Sequence, residues 1–120
     1  MPKEFSRSRR VADLIQRELA VVVQREIDRE QFGLITISAV DVSPDLAQAK
    51  IYFTSLGPRL NEAGLCRELN GMAGHFRHSL ARALPLKSMP RLRFEFDSSI
   101  ERGSRLASLI DSLHKGPGKP

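Results

Sequence analysis

Cysteine is almost missing from this sequence. Cys66 is the only one in 120 residues, so no disulfide can form within the chain. Long apolar runs are missing too. No stretch approaches the ~20 residues needed to cross a bilayer, and the opening MPKEFSRSRR lacks the apolar core of a secretory signal. A cytoplasmic protein with no membrane role is the expectation. Acidic residues are absent from one long segment. Between Gly71 and Phe94 there are five basic residues (Arg77, Arg82, Lys87, Arg91, Arg93), two histidines (His75, His78) and no Asp or Glu. Catalytic groupings are also lacking, since nowhere do a nucleophile, a base and an orienting residue come together. Neither an enzyme nor a bound cofactor is expected.

What remains is a composition suited to one ordinary domain. Hydrophobic residues make up 41% and charged residues 28%, which describes a globular chain rather than a disordered one. The net charge is +5 and the isoelectric point about 10.0, a surplus that favours polyanionic partners. Residues 1–33 are nearly balanced, with seven Lys/Arg against six Asp/Glu. The surplus is therefore concentrated in the acid-free segment, as in nucleic-acid binders.

Periodicity sets the order of elements. Val11, Ile15, Leu19, Val22, Val23 and Ile27 repeat at helical spacing and predict a helix from Arg7 to about Arg29, stopping short of Gly33, with Ser6 or Ser8 as N-cap. LITISAVDV and AQAKIYFT alternate in steps of two, which predicts two strands joined by a turn at Ser43-Pro44-Asp45-Leu46. Ile35, Ile37 and Ala39 face inward on the first strand, and Ala47, Ala49, Ile51 and Phe53 on the second. The apolar phase slips between Ala39 and Val40, where a bulge or the edge of the buried face is expected. A helix then runs from Pro58 or Arg59 to the glycines, with Leu60, Leu65 and Leu69 inward, and a second runs to about Leu84. RLRFEFD is a third strand with Leu92, Phe94 and Phe96 inward and Arg91, Arg93, Glu95 and Asp97 outward. Ile100, Leu106, Leu109, Ile110 and Leu113 predict a short closing helix, and residues 114–120 a frayed tail. The fold class is α+β: a single domain over residues 1–113, order αββααβ, with a three-stranded sheet covered by helices on one face. This is the order of a type II KH-like domain.

Gly71-Met72-Ala73-Gly74 has the G-x-x-G spacing with which KH domains clamp a nucleic-acid backbone. Met and Ala cannot bind phosphate, and Met72 falls on the apolar stripe. A helix–helix kink at Gly71, Met72 and Gly74 is therefore favoured over a clamp. Beyond it, Arg77, His78 and Arg82 share one outward face and predict a basic patch. With His75, Lys87, Arg91 and Arg93 it forms the expected RNA-binding set, and Arg7, Arg9 and Arg10 form a second patch. His75 and His78 are three apart, but further metal ligands are missing, so surface histidines near an RNA face are the preferred reading. Cys66 lies in a helical stripe and is expected as a small core or boundary residue. A protein-interaction module docking a partner through the long first helix is the alternative.

Three stretches, EFSRSRRVADLIQRELA with its QREI ending, VDVSPDLAQAKIYFT and MPRLRFEFDSSIERGSRLASLI, resemble bacterial ribosome-binding factor A. In the third, Pro90, Asp97, Ser99 and Gly103 match by position. The resemblance covers about Lys3 to Leu113. It implies a monomeric KH-like domain that binds the immature small (30S) ribosomal subunit and its 16S rRNA. It further implies a role in late maturation and rRNA 5′ end processing, release aided by a GTPase, and a link to growth in the cold. Its Ala-x-Gly helical kink corresponds to Met72-Ala73-Gly74 here, with Met72 in place of the alanine and an additional glycine at Gly71. No function carried by a longer C-terminal extension is expected.

Overall fold

The computed structural model describes residues 3–98. The expected closing helix through Ile100, Leu106, Leu109, Ile110 and Leu113, the residues Ser99 and Gly103, and the tail 114–120 lie outside this range. The elements in chain order are α1 (Lys3–Glu26), a one-turn α2 (Arg29–Phe32), β1 (Leu34–Val42), β2 (Gln48–Leu56), α3 (Glu62–Gly71), α4 (Ala73–Ala83) and β3 (Arg91–Phe96). β2 is the central strand, antiparallel to β1 and parallel to β3. α1 packs against β1, α3 and α4 pack against β3, and α1 touches α4. The helices form one layer and the sheet the other.

Several boundaries differ from those read in the sequence; α1 ends at Glu26, short of the expected Arg29, because Asp28 starts a separate turn. α1 is already helical at Lys3, so neither Ser6 nor Ser8 is its N-cap, and Ser8 is buried. α3 begins at Glu62 rather than near Pro58, because the Asn61 side chain accepts the Gly64 N–H at 2.7 Å and caps the helix there. Between α1 and β1, Asp28 caps the short α2 through the Glu30 N–H. Gly33 then turns the chain with φ +71, where a Cβ would lie 2.5 Å from the Leu56 carbonyl oxygen. Only glycine fits there.

The strand phase slips one residue earlier than expected. Ile37 pairs with Phe53 and Ala39 with Tyr52, so Ser38 is the bulged residue. Ile35 and Ile37 are buried before it and Val42 after it, while Ala39, expected inward, is exposed. One extra residue reverses the facing of everything that follows. Ala47, expected inward, precedes β2 and is exposed. The hairpin loop is built as its residues suggest. Leu46 N–H bonds the Ser43 carbonyl at 2.8 Å, and Leu46 itself takes φ 62. The Ser43 hydroxyl and the Ala47 N–H both donate to Asp45, holding its carboxyl below the usual range.

The core joins the layers. Ile15, Leu19, Val22 and Val23 from α1 meet Ile51 and Phe53 from β2, Leu65 and Leu69 from α3, and Phe76 and Leu80 from α4. Phe53 contacts Phe94 and Phe96 edge-on, and Phe94 contacts Phe76 likewise, with centroids 5.6–6.4 Å apart. Such pairs add about 0.5–1.5 kcal/mol each beyond area burial, and this chain of rings docks α4 on the sheet.

Both edges of the sheet are met by side-chain amides. Gln16 and Gln24 of α1 donate to the Ile37 and Ile35 carbonyls at 3.0 and 2.7 Å. Asn70, at the end of α3, donates to the Phe94 carbonyl at 3.0 Å and accepts the Phe94 N–H at 2.7 Å. Asn70 thus pairs with β3 as a neighbouring strand would, which fixes the α3–α4 joint against the sheet.

Candidate nucleic-acid interface

The joint between α3 and α4 is a single residue. Met72 has φ −98 and ψ 3, and its N–H reaches both the Glu68 carbonyl at 3.2 Å and the Leu69 carbonyl at 3.0 Å. The helical ladder tightens there and restarts with the Phe76 N–H on the Met72 carbonyl. Met72 is half-buried and packs against the core, which pins the bend. Neither flanking glycine is demanded by the fold. A Cβ at Gly71 or Gly74 would meet nothing within 4 Å, and neither has a positive φ. What they contribute within the chain is low helix propensity beside the bend.

α4 turns its basic residues to different tasks. Arg77 donates from Nε to the Met89 carbonyl at 3.0 Å and to the Pro90 carbonyl at 3.2 Å, and from a terminal nitrogen to Met89 at 2.8 Å. It ties α4 to the connector that leads into β3. His75, in the first turn of α4, is bonded to Glu26 at the end of α1. That bond holds the Glu26 carboxyl below the usual carboxylate range. It also sets a carboxylate beside the G-x-x-G segment, which disfavours a phosphate there. His78 and Arg82 are exposed, as is Lys87 in the connector. None of the three has a hydrogen bond or ion pair among the described residues.

The remaining arginines fall on two other surfaces. On β3, Leu92 and Phe94 are buried toward the helices, while Arg91 and Arg93 alternate with them and are exposed. They share the outer face of the sheet with Lys50, which is in register with Arg93. Glu95 meets Arg93 at 3.7 Å and Lys50 at 4.0 Å. Asp97, expected outward, is buried, and accepts the Ser38 hydroxyl at 2.6 Å. Arg7, Arg9 and Arg10 are exposed on α1. Arg9 turns with Asp13 into a cleft formed with Val40, Asp41 and Pro44 of the β1–β2 hairpin. The seven residues expected in the first patch divide: His78 and Arg82 are exposed on α4 and Lys87 in the connector, Arg91 and Arg93 lie on the sheet face, and Arg77 and His75 have partners within the chain. Of the second patch, Arg7, Arg9 and Arg10 all lie on α1, with Arg9 turned into the cleft.

The residues that position this surface, Asn70, Gln16 and Gln24, escaped the sequence reading. Each is a polar residue on a mostly polar helix face, and only the paired strand edge shows its use. Cys66 is half-buried and packed against the core. No three His, Cys, Asp or Glu gather to hold a metal among the described residues. No helix among them is long and apolar enough to cross a membrane.

Known proteins share this architecture. A homologue from Stutzerimonas stutzeri, ribosome-binding factor A, is 48% identical over 114 residues, covering 92% of this chain and 88% of the relative. The crystal structure of ribosome-binding factor A from Thermus thermophilus superposes with a TM-score of 0.63 at 28% identity, covering 72% of this chain and 92% of that one. A homology model of the Thermus thermophilus factor, fitted into a cryo-EM map of its 30S complex, gives a TM-score of 0.60 at 27% identity, covering 71% and 89%. The family model described as ribosome-binding factor A matches residues 7–110, and the chain belongs to that family.

Proposed function

We propose that this chain binds the immature small ribosomal subunit and its 16S rRNA in the cytoplasm, and promotes late maturation, including processing of the rRNA 5′ end. It acts as a monomeric binder rather than an enzyme, and a GTPase aids its release. The observation that carries the RNA contact is the outer flank of α4 with its connector. There His78, Arg82 and Lys87 are exposed, without a carboxylate partner among the described residues. Guanidinium and ammonium groups left free by the fold are available to phosphates, and each contact adds to the salt dependence of binding. The relative's complex with 30S supports the small subunit as the target.

The test combines sedimentation and affinity. The tagged protein should travel with free small subunits in a sucrose gradient and not with translating ribosomes. Arg82→Glu with Lys87→Glu should weaken binding to immature subunits and flatten the salt slope by roughly two units, one for each lost phosphate contact. Unchanged affinity and slope in a folded double variant would overturn the assignment of this flank.

A further inference from the structure

Residues 1–33 are nearly neutral in sequence, but the fold engages several of their acids. Glu26 is bonded to His75, Asp28 caps α2, and Glu30 lies 3.8 Å from Arg59. Asp13 turns with Arg9 into the cleft beside the hairpin, and Glu18 is partly buried. Of the basic residues, Arg10, Arg17 and Arg25 lie on the outer side of α1, bordered by Asp13 and Glu18. Arg10, Leu14, Arg17, Val21 and Arg25 are three or four apart and so lie on one stripe of the helix. The stripe is opposite the buried Ala12, Ile15, Leu19, Val22 and Val23. Arg10 and Arg17 are exposed and unpaired among the described residues. Among the described residues Arg25 pairs only with its neighbour Glu26, at 3.5 Å. Val21 is 55% exposed between the last two arginines.

We infer that this outer stripe of α1 is a second RNA-contact surface, a straight cationic rail for the sugar-phosphate backbone of double-stranded rRNA. The inference rests on the reading of the chain as an rRNA binder and adds where the RNA runs. From Arg10 to Arg25 the rail is about 22 Å long. It is rigid because its other side is the core of the domain. Guanidinium groups suit phosphate oxygens bidentately. An acidic protein surface is the other polyanion such a rail could meet. A protein partner would be expected to use a broader apolar patch than the single exposed Val21, so charge complementarity favours RNA. α1 touches α4 in the same layer, so the rail and the Arg82 flank face away from the sheet together.

The test is Arg10→Glu with Arg17→Glu, using a blunt RNA duplex and immature 30S particles as probes over a range of salt. Arg10→Lys with Arg17→Lys serves as the charge-preserving control, and circular dichroism checks the fold. The reversal should flatten the salt slope on both probes by roughly two units, and the lysine pair should keep most of it. An unchanged slope on both probes overturns the rail. A loss on particles alone, with duplex binding intact, assigns the stripe to a ribosomal protein and equally overturns it. Arg82→Glu run in parallel separates the two claims. If it weakens binding while the α1 reversal does not, only the rail fails. If the α1 reversal alone weakens binding, the rail stands and the α4 flank fails.

Discussion

The helix layer and the outer sheet face both carry arginines, yet the fold treats them differently. On the sheet, Lys50 and Arg93 converge on Glu95, which offsets part of their charge. On the helices, Arg10, Arg17 and Arg82 face solvent and form no ion pair among the described residues. The same contrast recurs within α4, where the Arg77 side chain makes three hydrogen bonds to two backbone carbonyls and the Arg82 side chain makes none among the described residues. A count of positive residues therefore overstates what a polyanion can use. Position relative to the chain's own acceptors decides which cations are available.

The largest effects should come from the residues that hold the layers together. Asn70→Ala leaves the Phe94 N–H and carbonyl without their partner, and Arg77→Ala frees the connector carbonyls. Each should lower stability in urea by about 1–3 kcal/mol, while Arg82→Ala should stay within about 0.5 kcal/mol. Equal losses at Arg77 and Arg82 would erase the distinction within α4.

Binding should divide the two surfaces next. Arg91→Glu with Arg93→Glu should flatten the salt slope on immature subunits by less than the Arg82/Lys87 reversal, since Glu95 already offsets part of the sheet's charge. The reverse ranking would move the interface to the sheet.

Gly74→Ala should be smaller still. The added methyl meets nothing within 4 Å, so stability should hold or rise by up to about 1 kcal/mol. Unchanged RNA affinity supports a kink without a clamp. A loss of affinity in the folded variant would show that a backbone approaches there.

The smallest effect is the acid response of the α1–α4 contact. The hydrogen bond from His75 holds Glu26 below its ordinary value of 4.5. The folded state thus resists protonating this carboxyl more than the unfolded state does. Its contribution is fully present above the unfolded value and is lost as pH falls through the lower folded one. Glu26→Gln should flatten the acid limb of urea midpoint against pH below about pH 4.5, and an unaltered limb would remove this contact from the account.

Much of the fold was legible because burial leaves a period in the sequence. Ile15 to Val23, Ala49 to Phe53 and Leu92 to Phe94 show their inward faces as spacing alone. The slip at Ser38 was legible only to within a residue, since a bulge depends on which cross-strand partner is skipped. Met72 was legible as buried, whereas the indifference of the fold to Gly71 and Gly74 was not, because open space leaves no pattern.

By itself, the sequence determined the element order, the buried stripes, the hairpin turn and the positive surplus, since hydrophobic period and backbone preference are local properties. Only the tertiary structure decided which charges remain available. Glu26, Glu95 and Arg77 meet His75, Arg93 and Lys50, and the Met89 and Pro90 carbonyls through packing of separate elements. Electrostatic pairing falls off with distance in space and is blind to the order of residues along the chain.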